Sequence, residues 1–387
     1  MRRRVLMIQP SLQPPGGGNG VAAWMLQALQ DQHELGVLTW TPLDLDAVNW
    51  FYGTSVNGSR VHLMTVNALA RWIPDRLPFS LALLRSAILL RAAKQLSADW
   101  DILLTVNNEA NFGRPGIQYV HYPAYLRPRP LEDARWYHGP PLALNSYYRF
   151  ADWLSDMSAE GIRQNLTLVN SDWTGRLVRE RHGIEPMTLY PPVHSRFVDM
   201  PWAQRINGFL SLGRISPEKQ IHRVIDILAL VRKRRPDVSL HLVGTLGQGS
   251  YGGEIAKRVD SEGAWLSRDN NLSRAELLDL IPTYRYGIHG MLEEHFGMAP
   301  AELVSAGCIV FLPNGGGQVE IVGREPRLVY TDVKEAAESI LYVLEHPEEQ
   351  SALRRRLAER KAAFATERFI QTVRELIEGF PAPTARP

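Results

Sequence analysis

The chain has 387 residues, of which 45% are hydrophobic and 22% charged, so it is long enough for two globular domains of ordinary size. Its 43 basic and 41 acidic side chains leave a net charge of +2, which gives no overall field that would draw the protein to nucleic acid. The single cysteine, Cys308, excludes an internal disulfide framework, and its apolar setting, CIVFL, predicts a buried thiol in a reducing, cytoplasmic environment.

The chain begins with MRRRVLMIQP, a basic segment followed by an apolar one, as in a signal peptide. The apolar stretch is only about four residues long and runs into Gln, Pro and Gly, so we interpret it as a first strand. No window reaches the roughly 18 uninterrupted apolar residues of a membrane span. The sequence therefore predicts a soluble or peripheral protein.

Short apolar runs alternate with amphipathic stretches, a pattern typical of parallel sheets covered by helices. The predicted strands of the first half are 5–9, 37–40, 61–66, 102–106, 117–121 and 167–170, and its predicted helices are 21–31, 80–96, 145–160 and 172–181. The alternation restarts with a strand at 209–213, a helix at 217–234 and strands at 239–244, 286–290 and 308–312. A capping box of Ser273 and Glu276 starts a further helix, and a short helix begins at Pro300. Two C-terminal helices rich in Arg and Glu complete a second doubly wound α/β domain.

A linker separates the two halves. Paired prolines in LYPPVHSRF, 189–197, predict an extended segment. We therefore predict domains at 1–195 and 196–366, with a C-terminal helix, about 367–387, packing back on the first domain. Ligands of doubly wound sheets bind at the carboxyl ends of the strands, so the loops at those ends are the candidate sites.

The first such loop is PPGGGNG, 14–20, which follows strand one and opens a helix. Glycines here, Gly17 and Gly18 among them, let backbone amides approach a phosphate or a sugar. The full dinucleotide fingerprint is absent, because Val21 stands where the third glycine belongs, although a looser form that admits alanine fits. A flexible turn with no ligand is the other interpretation.

The second loop is LGRISPEKQ, 212–220, in which Ser216 can cap a helix and Pro217 suits its first position. Arg214 and Lys219 would then flank a helix N-terminus. A planar guanidinium and a compact ammonium beside free amides predict a diphosphate site. Solvated basic side chains on a surface turn are an equally simple explanation.

The third loop is EEHFGMAPAE, 293–302. Glu294 lies just past the predicted strand, Gly297 permits the turn, and a helix from Pro300 would place Glu302 in its first turn. A carboxylate there can accept two hydrogen bonds from a cis diol such as ribose, while Glu294 can reach hydroxyls of a second ring. The amides of 297–299 could point at the anion that joins the rings. Either glutamate alone could be a dipole-complementing or solvated charge.

These motifs resemble those of the family 4 retaining glycosyltransferases. EHFGMAPAE followed by LVSAGCIVFLPNGGGQVEIV is similar to the family's E-x7-E signature, and GGGNGVAAWML, YVHYP, VNSDWTGRL, LYPPV and LGRISPEKQ precede it in the family's order. The resemblance implies a GT-B fold, two Rossmann-like domains facing each other across a cleft, with an acceptor domain followed by a nucleotide-sugar domain. YVHYPA, YYRFADWL and EEHFG look most like mannosyltransferases that extend lipid-linked oligosaccharides from GDP-mannose.

The resemblance also implies roles for individual residues. Arg214 and Lys219, with the amides of Gly297, Met298 and Ala299, would hold the donor diphosphate. Glu302 would hold the ribose, and His121 and Glu294 would be the catalytic residues beside the transferred sugar. Gly17 and Gly18 would approach donor or acceptor. Gln220 departs from the family, which usually has glycine after the lysine.

The implied activity is that of a retaining, metal-independent hexosyltransferase in polysaccharide biosynthesis, with no cofactor besides its nucleotide-sugar donor. The acceptor would be a glycan, a lipid-linked glycan or a small molecule. A nucleotide-sugar epimerase, a pyridoxal-phosphate-dependent phosphorylase and an inactive binding partner are the alternatives. We find no compact His/Asp metal cluster in the sequence.

The acceptor side gives weaker signals. Segment 71–96 combines apolar and basic residues, which predicts either an interfacial helix on anionic lipid at the inner face of a membrane or a helix packed on its own sheet. The residues concerned are Leu81, Leu84, Ile88 and Leu89 with Arg71, Arg76, Arg85, Arg91 and Lys94. Trp136, Tyr137, Tyr147 and Tyr148 are candidates for a sugar platform, although aromatic stripes usually belong to a core.

Overall fold

The structure is a computed structural model that describes residues 2–72, 74–76, 81–123, 141–194, 196–247 and 249–381, with the side chains of 141–143 left out. The chain forms two compact units, one of Met1–Leu189 with Phe369–Pro387 and one of Tyr190–Arg368. Each contains a parallel sheet with helices around it, which confirms the prediction of two doubly wound α/β domains. The assignment of acceptor binding to domain 1–195 and of nucleotide-sugar binding to domain 196–366 stays a prediction.

The sheet of the first unit has the strand order β3-β2-β1-β4-β5-β6-β7, and all its neighbours are parallel. In chain order the strands are β1 (Arg4–Ile8), β2 (Glu34–Thr39), β3 (Val61–Thr65), β4 (Ile102–Thr105), β5 (Ile117–Val120), β6 (Leu166–Val169) and β7 (Met187–Thr188). Val5 and Met7 belong to one core cluster, and Leu6 and Ile8 to another. Both faces of the sheet are therefore buried, which is why β1 has an unbroken apolar run.

The helices of this unit up to residue 182 are α1 (Gly17–Leu29), α2 (Leu45–Tyr52), α3 (Ala68–Arg71), α4 (Ala82–Leu96), α5 (Pro141–Ser155), α6 (Ala159–Arg163) and α7 (Asp172–His182). The single helix predicted for 145–160 is wrong. Asp156 adopts a left-handed φ of 52°, and Ser158 then caps α6 by accepting a hydrogen bond from the amide of Gly161. The left-handed residue ends one helix, and the cap starts the next.

The second unit has a six-stranded parallel sheet in the order β10-β9-β8-β11-β12-β13. Its strands are β8 (Ile206–Leu212), β9 (Ser239–Val243), β10 (Leu266–Asp269), β11 (Tyr284–Ile288), β12 (Ile309–Pro313) and β13 (Val329–Tyr330). Its helices are α8 (Ile221–Arg232), α9 (Ser250–Glu262), α10 (Arg274–Leu280), α11 (Met298–Ser305), α12 (Val333–Glu345) and α13 (Pro347–Lys361). The predicted capping box is confirmed, because Ser273 and Glu276 exchange both hydrogen bonds at the start of α10.

A last helix, α14 (Thr366–Gly379), makes the C-terminal helices three rather than the predicted two. Phe369, Val373 and Ile377 recur every four residues along it and are buried in the core that contains Val5 and Met7. One face of α14 therefore belongs to the first unit. Cys308 is fully buried, as predicted, and burial raises the pKa of its thiol to about 12.

Candidate active site

The centre of the candidate site in the second unit is a contact between Lys219 and Glu294. Lys219 follows β8 in a short 3-10 turn, and Glu294 lies on the loop that follows β11. The Lys219 Nζ donates to Glu294 Oε2 at 2.5 Å and lies 3.4 Å from the sulfur of Met291. Both side chains are less than one-fifth exposed. Two residues 75 positions apart in the sequence are thus brought together at the carboxyl end of the sheet.

The charge of Glu294 is fixed by its neighbours. Burial alone would raise the pKa of this carboxyl, but contact with His289 and the positive charge of Lys219 hold its pKa well below the ordinary value. Burial lowers the pKa of His289, and the nearby ammonium of Lys219 lowers it further. At neutral pH Glu294 is therefore a carboxylate and His289 a neutral imidazole.

The loop that carries Glu294 is held by backbone contacts. The amide of Gly317 donates to the Glu294 carbonyl at 2.8 Å, and the Gln318 side-chain amide donates to the Met291 carbonyl at 2.7 Å. A Cβ on Gly316 would lie 2.2 Å from the Glu294 carbonyl oxygen, and the φ of Gly316 is 70°. The glycines of PNGGGQ therefore let one loop lie directly against the other.

The loop around Lys219 differs from the prediction. Pro217–Lys219 form a 3-10 turn, Gln220 is left-handed with φ 52°, and α8 begins only at Ile221. The predicted helix start at Pro217 is therefore wrong, because a left-handed residue cannot continue the helix. Arg214 is exposed and lies 3.3 Å from Glu218. Of the two predicted cations, Arg214 is therefore exposed to solvent, whereas Lys219 is mostly buried against Glu294.

Glu302 lies on α11, whose N-cap is Gly297 at φ 104°. Because this helix begins at Met298 rather than Pro300, Glu302 is in its second turn and not, as predicted, in its first. The backbone amides of 297–299 still lie at the helix N-terminus, where they have no partners within the helix. The Glu302 Oε1 lies 2.7 Å from an Arg274 guanidinium nitrogen, and the Glu302 side chain is 12% exposed. Arg274 is the first residue of α10.

The candidate residues of the first unit also lie together. Gly17 and Gly18 form the first turn of α1, and a Cβ on Gly18 would lie 2.9 Å from the His121 Nε2. The His121 amide donates to the Asn108 side chain at 2.9 Å, and the Asn170 side chain donates to the His121 carbonyl at 3.0 Å. The glycine loop and the histidine are therefore adjacent at the carboxyl ends of β1 and β5, and a side chain at position 18 would require the His121 ring to move.

The predicted interfacial helix packs inward on one face. Leu89, Leu90 and Ala93 of α4 are buried against the first sheet, while Arg85 pairs with Asp75 at 3.4 Å. The apolar face of α4 is thus used within its own unit, as the alternative interpretation of this segment predicted.

The aromatic candidates for a sugar platform divide into two groups. Tyr148 is buried and Tyr147 accepts a hydrogen bond from the amide of Leu84, while Trp136 and Tyr137 lie outside the described residues. No helix in the described part of the chain is both long and apolar enough to cross a membrane. Within the same part, no group of three His, Cys, Asp or Glu side chains is placed to hold a metal ion.

Two residues of the site were not singled out from the sequence. Arg274 follows the capping serine and resembles any charged residue of a first turn. Its contact with Glu302 of α11 is a tertiary contact that the local sequence does not indicate. His289 stands at the end of the apolar run YGIHG, where a polar side chain directly after a buried strand is a signal that sequence analysis could have used.

The second unit is similar to proteins of a known family. Residues 202–362 match the family model Glycosyl transferases group 1. The chain is 26% identical over 240 residues, 55% of its own length and 46% of the relative's, to GDP-Man:Man(3)GlcNAc(2)-PP-Dol alpha-1,2-mannosyltransferase of Dictyostelium discoideum. It is 27% identical over 288 residues, 65% of its own length and 58% of the relative's, to the protein of that name from Xenopus tropicalis. The chain spans about half the length of these curated relatives.

Solved structures agree on the fold. The crystal structure of Anabaena HepE in complex with UDP matches with a TM-score of 0.70 and 17% identity, covering 98% of this chain and 100% of that one. WaaG, a glycosyltransferase involved in lipopolysaccharide biosynthesis, matches with a TM-score of 0.68 and 15% identity over 97% of this chain and 100% of its own. The chain therefore has the GT-B fold of two Rossmann-like domains, and its segment 202–362 is similar to the glycosyl transferases group 1 family.

Proposed function

We propose that the protein is a retaining hexosyltransferase that moves mannose from GDP-mannose to a glycan, a lipid-linked glycan or a small-molecule acceptor. The observation that carries the proposal is the contact of Lys219 with Glu294 beside the N-terminus of α11, inside a glycosyl transferases group 1 domain. The relatives named above are GDP-mannose-dependent enzymes, which favours this donor, whereas the HepE structure holds UDP.

Each group in the second unit has a role in holding the donor. Lys219, Arg214 and the amides of 297–299 bind the diphosphate, because cations and helix N-terminal amides both favour an anion. Glu302 accepts hydrogen bonds from the ribose diol. Glu294 accepts hydrogen bonds from hydroxyls of the transferred sugar. As the glycosidic bond to the diphosphate breaks, negative charge develops on the leaving oxygen, and the same cations stabilise it.

The geometry of Glu294 favours retention without a protein nucleophile. Its Oε2 is taken by Lys219, and its strongly lowered pKa makes it a weak base and a weak nucleophile. We propose that the acceptor hydroxyl attacks from the face that the diphosphate leaves, and that a donor phosphate oxygen takes its proton. Glu294 then positions the sugar ring.

The first unit supplies the acceptor side of the proposal. Gly17 and Gly18 let the backbone approach a sugar, and His121 lies directly against them. The inner face of a cytoplasmic membrane is the expected place for a lipid-linked acceptor. Liposomes of anionic lipid should co-sediment the protein, and protein left in the supernatant at all lipid concentrations would remove the membrane part of the proposal.

Donor choice and turnover test the proposal. A thermal-shift screen against GDP, UDP, ADP and TDP, each with its common sugars, should give the largest stabilisation with GDP-mannose, because a ligand of the folded state stabilises it by mass action. Release of GDP should then require an added acceptor and should persist in EDTA. Conversion of the sugar nucleotide with every acceptor omitted would instead favour an epimerase, and stabilisation by none of the nucleotides would refute a donor site.

A further inference from the structure

We infer that His289 is a positioning residue for Glu294: its Nε2–H holds one carboxylate oxygen, so that the other oxygen faces the transferred sugar. The inference rests on the proposed sugar-binding role of Glu294 and adds the residue that orients it.

The two oxygens of Glu294 have different surroundings. Lys219 Nζ at 2.5 Å and His289 Nε2 at 3.4 Å both approach Oε2. Oε1 accepts no hydrogen bond from the residues that the structure describes. A carboxylate with one oxygen bonded to Lys219 and approached by His289, and the other oxygen available, has a preferred direction for accepting a hydroxyl, which a solvated glutamate lacks.

Burial and backbone hydrogen bonds fix the position of His289. Its side chain is 4% exposed, its amide donates to the Phe311 carbonyl at 2.9 Å, and its carbonyl accepts a hydrogen bond from the Tyr330 hydroxyl. Within the described ranges, its Nε2 has no hydrogen bond of normal geometry, although the Glu294 oxygen is nearby. A buried donor without a partner is unfavourable, so a small rotation of the Glu294 carboxylate that completes this bond is downhill.

Donor binding would allow the Glu294 carboxylate to rotate in this way. The ammonium of Lys219 is the group proposed to bind the diphosphate, and a phosphate oxygen would compete with Glu294 for it. As Lys219 moves toward the diphosphate, the imidazole becomes the principal partner of Oε2. The neutral His289 carries a single N–H, and the inference requires that this proton reside on Nε2.

Binding and turnover of His289→Leu and His289→Gln test the inference. Leu fills the space without a donor, whereas the Gln side-chain amide can donate from nearly the position of Nε2. For His289→Leu we expect GDP affinity within about 2-fold of the wild type, and kcat/KM for GDP-mannose lower by about 10- to 100-fold, the effect of one hydrogen bond to a charged group. His289→Gln should recover most of this loss, and His346→Leu, at the α12–α13 junction, should change neither value.

A measurement without ligand separates the inference from the proposed function. The 15N chemical shifts of labelled histidine, assigned by the signal lost in His289→Gln, report which ring nitrogen carries the proton. An Nε2–H tautomer is expected, and an Nδ1–H tautomer would overturn the inference whatever the donor. Equal loss of GDP and GDP-mannose affinity in His289→Leu would also overturn it, because that result indicates a structural role. A wild type that binds GDP-mannose no better than GDP and does not turn it over would refute the proposed function, leaving the tautomer to decide on His289.

Discussion

Replacing Lys219 by Met should destabilise the second unit, because it leaves the Glu294 carboxylate in a mostly closed site without its counter-charge. The two side chains are 18% and 19% exposed, so the pair is close to the buried limit. Removing one partner of a buried ion pair costs about 3–5 kcal/mol, and we take about 3 kcal/mol for a pair with this exposure. For a unit of this size, that corresponds to a fall of about 6–12 °C in melting temperature.

Differential scanning calorimetry of four proteins measures this effect: wild type, Lys219→Met, Lys219→Met/Glu294→Gln and Arg214→Met. The double variant removes both charges and should recover to within about 1 kcal/mol of the wild type, because no uncompensated charge remains. Arg214→Met is the matched control, since its exposed ion pair with Glu218 contributes less than about 1 kcal/mol.

The deficit of Lys219→Met should also depend on pH. In the wild type, the folded-state pKa of Glu294 lies below the ordinary value of 4.5, so this carboxylate contributes stability above that pH and loses it as pH falls toward the folded-state pKa. Without Lys219 the carboxyl can protonate in the folded state at a higher pH, so the difference in melting temperature should shrink between pH 7 and pH 4.5. An unchanged melting temperature, or a double variant no more stable than the single one, would refute the reasoning.

Three further predictions concern Gln220, the Glu302–Arg274 pair and Glu294. Gln220→Gly should raise the melting temperature, because glycine removes the strain of a left-handed backbone, which costs about 1 kcal/mol. Gln220→Ala should not raise it. A lower melting temperature with glycine would contradict the assigned conformation. Glu302→Gln and Arg274→Met should each weaken GDP binding about 10-fold, as for the loss of one charge-assisted hydrogen bond. In calorimetric titration, the loss of binding free energy in the double variant should be smaller than the sum of the two single losses. Full additivity would show that Arg274 does not act through Glu302. Glu294→Gln should bind GDP more tightly, because Lys219 is released, yet turn over more slowly; weaker GDP binding would argue against a shared lysine.

The order of elements was predictable from sequence where strands are buried on both faces. Strands such as β1 and β12 have continuous apolar runs because each of their sides packs on a core. Elements with few buried residues were not predicted, because their hydrophobic pattern is weak. In the edge strand β10 only Leu266 is buried, and α9 carries two glycines, Gly252 and Gly253, that lower its helical propensity, so neither was predicted.

The candidate site was predictable at the level of residue types and unpredictable at the level of contacts. The cap-like sequence Ser-Pro-Glu suggested a helix start at Pro217. The left-handed conformation of Gln220 instead accompanies a tertiary contact. The carbonyls of 219 and 220 lie so close to Gly290 that a Cβ on this glycine would be 2.7 Å from both oxygens. That conformation suits the glycine that the family usually has at this position, since glycine adopts a positive φ without strain and glutamine does not.

The contacts of the second unit suit the proposed binding of a highly charged donor. A buried ammonium without a partner would be unfavourable, so Lys219 needs a local anion, and Glu294 supplies one. The same carboxylate would repel a diphosphate if it stood alone, but Lys219 contacts its Oε2 and balances its charge. Arg214, which is exposed, adds positive charge without a desolvation penalty. In the proposed complex, the diphosphate would meet Lys219, Arg214 and the helix amides of 297–299, while the sugar would meet the Glu294 carboxylate. Cations on one side and a charge-balanced carboxylate on the other would suit an anion and a sugar that bind side by side.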